Sequence, residues 1–146
     1  MTLEESSIFV NLKRLRRMLY QAQFNMTKTD RIIYGTLLIK HCGRAMAAFV
    51  LAFMVKDKRI QYLEECIGYF TVLRIDLEFC TTENIIKYPK RHENIDKDGK
   101  PIPWENKEDA VNSHKIELFH LVGKIDSDMC RWQASLAKGK TVIDQK

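Results

Sequence analysis

All three prolines in this chain fall between positions 89 and 103, at Pro89, Pro101 and Pro103. Proline interrupts a helix because it has no amide proton to donate and its ring collides with the preceding turn. Its confinement to one stretch leaves residues 1–88 and 104–146 open to long helices, and only six Gly occur in the whole chain. A chain of 146 residues, with 45% apolar and 29% charged side chains, fits one soluble domain with a core of its own.

Apolar periodicity places four helices in that frame. Thr2-Leu3-Glu4-Glu5 has the form of a capping box, and Ile8, Leu12, Leu15, Leu19 and Ala22 follow at alternating spacings of four and three. This predicts a first helix over about 3–24. Thr27-Lys28-Thr29-Asp30 is a second start signal. The second helix, 29–55, carries Ile32, Ile39, Gly43, Met46, Val50 and Phe53 on one seam, widened by Leu38, Ala45, Phe49 and Ala52. A helix apolar on more than one side is sandwiched, within its own bundle or against another subunit. After the tight connection Lys56-Asp57-Lys58, Ile60, Leu63, Ile67, Phe70, Leu73, Leu77 and Cys80 predict a third helix over 58–82.

The pattern then breaks over a long connector, 83–112, which holds the prolines, the turn signal Asp98-Gly99 and the run Lys87-Tyr88-Pro89-Lys90-Arg91-His92. Such lengths suit a mobile linker or a ligand contact. Leu118, Val122, Ile125, Met129, Trp132 and Leu136 predict a fourth helix over 110–138, beginning between Asn106 and Ser113 and stopping near Gly139. The expected fold is all-α, an antiparallel up-down-up-down four-helix bundle forming one domain over 1–146.

Cys42, Cys66, Cys80 and Cys130 are widely spaced, each inside an apolar helical pattern, and read as small core residues in a reducing compartment. The acidic start Met1-Thr2-Leu3-Glu4-Glu5 lacks the pattern of a signal peptide. The most apolar run, Ala45 to Val55, is too short for a bilayer and is bracketed by Arg44 and Lys56. A cytoplasmic protein with no membrane partner is expected.

Catalytic carriers are hard to find. Glu117-x-x-His120 has the spacing of a di-iron bundle ligand pair, but such a site needs a second copy and core glutamates on the other helices. Glu64, Glu65, Asp76 and Glu78 are acidic enough for magnesium, yet Arg74 among them suggests surface charge pairs. No phosphate loop or nucleophile arrangement occurs. The expectation is no enzyme, no cofactor and no metal.

Charge is more telling. The net charge is +5, and residues 1–60 carry eleven Lys/Arg against four Asp/Glu while residues 61–146 carry thirteen against fifteen. A basic half points to a polyanion or an acidic partner. The candidates are Lys13, Arg14, Arg16 and Arg17 on the first helix, with Arg14 and Arg17 sharing a face. Lys28, Arg31, Lys40 and Arg44 follow on the second, then Arg74, then Lys124 and Arg131. Such an array holds phosphates of RNA or DNA without reading bases. For any one residue, a solvated charge is the plain alternative.

Between Met26 and Trp132 stand Thr27-Lys28-x-x-Arg31, Tyr62-Leu63-Glu64-Glu65, Leu73-Arg74, Val122-Gly123-Lys124 and Arg131-Trp132. In this order they resemble the bacterial four-helix bundles encoded by 23S rRNA intervening sequences. Within that family the chain is most similar to the accessory variability determinant proteins of diversity-generating retroelements. The resemblance implies a homopentameric barrel of bundles with a positive surface, which binds a reverse transcriptase and its template RNA and supports mutagenic cDNA synthesis. It implies binding roles for Lys28, Arg31, Arg74, Lys124 and Arg131; the other six cations rest on charge alone. Three alternatives stay open: an intervening-sequence bundle with no polymerase partner, a metal-dependent bundle enzyme, and an adaptor that binds only protein.

Overall fold

The computed structural model describes residues 2–87, 94–95, 98, 101–102 and 107–144. Among them four helices carry the fold: α1 (Ser7–Gln23), α2 (Lys28–Met54), α3 (Arg59–Thr82) and α4 (Lys107–Asp144). Two strands of two residues, β1 (Asn94–Ile95) and β2 (Pro101–Ile102), pair antiparallel with Asp98 in a turn between them. This ribbon falls in the stretch expected to be connector. Tyr88 to His92, the greater part of the aromatic and basic run, lies outside the described residues.

The start of α1 differs from expectation. The Thr2 amide does donate to Glu5 Oε2 at 3.1 Å, but Leu3–Glu5 form only a single 3-10 turn. Ser6 then takes an extended backbone, and its Oγ accepts from the Phe9 amide, so the main helix begins one turn later than the capping box suggested. Ile8, Leu12, Leu15 and Leu19 are buried as expected.

In α2 the seam itself shifts. The fully buried positions are Leu38, Cys42, Ala45, Ala48, Phe49 and Ala52, the side the sequence offered as a mere widening, while Ile32 is 65% exposed. Ile39, Gly43, Met46, Val50 and Phe53 are half-buried beside that set, and the exposure of Ile32 goes with a π-turn over Arg31–Gly35, in which the Thr36 amide reaches back five residues to the Arg31 carbonyl. That extra residue rotates the part of the helix before Thr36 out of phase with the part after it. Gly35 sits where the chains come closest: a Cβ there would lie 3.2 Å from Gln23 Cβ and 3.4 Å from Met26 Sδ. A side chain there would have to push Gln23 aside by a few tenths of an ångström.

Two arginines close the first two interhelical turns in the same way. Arg31 donates from Nε to the Gln23 carbonyl at 3.1 Å and from Nη2 to the Phe24 carbonyl at 3.4 Å. Arg59 donates to the Ala52 and Phe53 carbonyls at 2.9 and 3.0 Å. The last carbonyls of a helix have no partner within it, so each guanidinium satisfies orphan acceptors of the helix before its own. At the end of α3, Asn84 adopts φ 55°, the Asn84 amide bonds the Thr81 carbonyl and the Ile85 amide the Cys80 carbonyl. This is a Schellman stop with Asn in the left-handed position.

The core is continuous across the helices. Leu63, Cys66, Phe70, Leu73, Leu77 and Cys80 of α3 join Leu118, Leu121, Val122, Ile125 and Met129 of α4 and the buried seams of α1 and α2. Contacts pair Phe9 with Phe49, Arg16 with Gly43 and Gln23 with Gly35 between α1 and α2. They pair Tyr34 with Phe79 and Arg44 with Tyr69 between α2 and α3, and Cys66 with Met129 and Arg74 with Asp126 between α3 and α4. Gly139 does not end α4, which continues to Asp144; a helical Gly costs about 1 kcal/mol but does not by itself impose a stop. By length and composition α2 could cross a membrane. Its inner side is packed in this core, and Lys40 and Arg44 are exposed on it.

Three of the four cysteines are buried as expected, but Cys130 is exposed, one step off the Met129 seam position. Burial pushes the Cys42 thiol up to about 12, with Arg16 pulling the other way, and the Cys66 thiol also to about 12. Burial first, then Asp76 and Asp30, raises Cys80 to about 11. Thiols so raised are unreactive near neutrality. A thiol-labelling titration at neutral pH is expected to find one fast cysteine, Cys130, and three more only after unfolding. The folded thiols hold protons that the unfolded chain releases above its ordinary value of 9.0, so their contribution is complete below pH 9.0. It is lost as the pH climbs from there towards about 12, and urea midpoints should fall over that window.

Candidate nucleic-acid interface

Between residues 6 and 54 the sequence holds eight Lys/Arg and a single acid, Asp30. The helical repeat divides these cations into sets. Phe9, Lys13, Arg16, Arg17 and Tyr20 recur at spacings of three, four and one, which winds them into one stripe along α1. That stripe forms one wall of an open groove of about 720 Å³, with Ile39 and Met46 of α2 on the other side. Lys13 Nζ lies 5.4 Å from the centre of the Phe9 ring, and Arg16 reaches across to Gly43, where the missing side chain leaves it room. All three cations are exposed.

Charge neighbours separate the remaining candidates. Arg14, expected to share a face with Arg17, instead turns to α4 and bonds Glu117 Oε1 at 2.9 Å. The same contact engages the glutamate of the Glu-x-x-His pair, while His120 is exposed. Arg74 does not pair with the acids of its own helix but with Asp126 of α4, at 3.3 Å. Lys124 and Arg131 both lie 3.9 Å from Asp128. Asp76 pairs with His41 at 3.6 Å. Arg31 is committed to the end of α1, where its guanidinium also lies 5.6 Å from the Phe24 ring.

Lys13, Arg16, Arg17, Lys28, Lys40 and Arg44 have no carboxylate oxygen within 4.0 Å among the described residues. Arg44 rests over Tyr69 of α3, 5.9 Å from the ring centre, and Lys28 is exposed at the first position of α2, after the Thr27 cap. Of the five residues carried over by family resemblance, four are therefore matched by acids or spent on a helix end, and Lys28 is the exception.

Sequence reasoning missed two residues. Tyr20 stands among the groove cations, and Arg59 joins a second pocket of about 360 Å³ at the end of the bundle with Phe49, Phe53 and Trp132. Among the described residues there is no group of three His, Cys, Asp or Glu placed to hold a metal. No protein-family model, curated protein or solved structure matches the chain. What the site can do has to be argued from its own chemistry.

That chemistry is simple. Guanidinium groups offer donors in a fixed fork that suits phosphate oxygens, and a shallow groove with three unmatched cations attracts a polyanion from a distance. Ile39, Met46 and Phe9 offer no side-chain hydrogen bonds, so apart from the cations only Tyr20 and Gln23 carry polar side-chain groups in the groove, and phosphate contact dominates.

Proposed function

We propose that the chain is a non-catalytic accessory protein that holds the phosphate backbone of RNA or DNA along the groove between α1 and α2. The observation carrying this reading is the run Lys13, Arg16 and Arg17 on one groove wall, exposed and without a carboxylate partner among the described residues, with Lys40 and Arg44 on the adjoining helix. Arg14, Arg74, Lys124 and Arg131, by contrast, lie against Glu117, Asp126 and Asp128.

The wider role comes from the family resemblance. In it the chain is an up-down-up-down bundle with antiparallel neighbours, and the opposed numbering of the interhelical pairs supports that topology. It assembles as a homopentamer in the cytoplasm and brings template RNA to the reverse transcriptase of a diversity-generating retroelement. Exposed apolar side chains favour protein partners of this kind: Ile33, Leu37 and Leu51 on α2, and Val72, Ile75 and Phe79 on α3.

Salt decides between backbone binding and an adaptor that meets only protein. Each phosphate neutralised releases counterions, so three to five contacts on single strands should weaken binding by about 20- to 100-fold between 50 and 200 mM salt. Oligonucleotide affinity measured across that range should show this slope. No binding at the low end would reject the reading.

A further inference from the structure

Aromatic rings stand among the cations of the α1 stripe, and charge alone gives no reason for them. Tyr20 and Phe24 are 54% and 56% exposed, although neither is needed to cover the core. They meet edge to face, 5.2 Å between ring centres at 87°. Tyr20 lines the groove one turn beyond Arg16 and Arg17, and Phe24 follows one turn further at the end of α1, where the Arg31 guanidinium also lies 5.6 Å from its ring, so the line runs from cations to rings. A duplex offers its phosphates and its base edges, but the faces of its bases are stacked inside. An unpaired strand offers its base faces as well, and aromatic platforms beside a positive groove are how such strands are held without reading sequence.

We infer that the groove takes a single-stranded segment of RNA or DNA in preference to a duplex, with phosphates against Lys13, Arg16 and Arg17 and unstacked bases against Tyr20 and Phe24. This rests on the phosphate-binding reading above and adds the form of nucleic acid bound. Stacking tolerates any base, because every base has a face to offer.

The test is fluorescence anisotropy at low salt with labelled oligo(U), oligo(dT) and a blunt RNA duplex of equal phosphate number. The wild-type chain should bind both single strands more tightly than the duplex. Replacing both rings, Tyr20→Ala with Phe24→Ala, should weaken single-strand binding about tenfold and leave duplex binding unchanged. Tyr20→Phe, which keeps a ring, should bind as the wild type does. The exposure of both rings leaves the core untouched, and circular dichroism of each variant verifies that. Equal affinity for strand and duplex, or a double variant that binds single strands normally, would overturn the inference while leaving phosphate binding in place. A ring pair that only supports the end of α1 would lower the melting temperature without changing affinity, and that result also overturns it. Wild-type protein that binds none of the three probes would remove both readings together.

Discussion

Phe70→Ala is expected to destabilise the protein by about 3–5 kcal/mol, a large part of the whole stability of a domain this size. Phe70 is fully buried on the core side of α3, where that seam meets the buried side chains of the other helices. Truncation removes the transfer energy of the ring and leaves a void that four helices tied at their ends cannot close completely. Val10 of α1, outside the apolar surface offered to protein partners, is 47% exposed, so Val10→Ala should change stability by less than about 0.5 kcal/mol. Urea unfolding of the two variants side by side measures the contrast. Similar losses in both would mean that the outer face of α1 is covered as deeply as the core.

The seams of α1, α3 and α4 were legible because period and burial coincide. Ile8, Leu12, Leu15 and Leu19 are buried at the spacing that the sequence displays, as are Leu63, Phe70, Leu73 and Leu77. In α2 the residues expected to widen the seam, Leu38, Ala45, Phe49 and Ala52, are the buried ones, and Ile32 fell out of phase for a definite reason: a π-turn adds a residue without any mark in the apolar pattern. A signal was present in Gly35, a small residue at the point where α2 must pass close to Gln23 and Met26. Gly139 misled in the opposite sense, since a helix with enough propensity on both sides of a glycine runs through it.

At the candidate site the sequence supplied the cations but not their partners. Arg14 and Arg17 are three residues apart, and spacing alone places them together. Only the packing of α4 reveals that Glu117 claims the first and leaves the second open. Arg74, Lys124 and Arg131 are likewise distinguished from Arg16 by acids distant in sequence or one turn away, at Asp126 and Asp128. The capping duty of Arg31 was hidden because its acceptors are backbone carbonyls, which every sequence has. Tyr20 could have been found from its place in the stripe, had aromatic and basic positions on α1 been plotted together.

On the proposed reading, phosphate is held by the unmatched cations of the α1–α2 groove and not by the basic residues at large. Reversing three of them together, Lys13→Glu, Arg16→Glu and Arg17→Glu, removes three phosphate contacts and sets three anions in their place. Affinity for a single-stranded oligonucleotide at low salt should fall by more than about 100-fold. The side chains are exposed and have no acidic partner among the described residues, so helicity should be retained. The matched comparison reverses Arg74, Lys124 and Arg131 together to Glu, the same change of six in net charge at positions already neighboured by Asp126 and Asp128. That variant should bind within about threefold of wild type. The affinity ratio of these two folded variants is the most direct measurement. A ratio far below one, with the groove variant the weaker binder, is the predicted result; equal affinities, or a greater loss from Arg74, Lys124 and Arg131, would contradict the account.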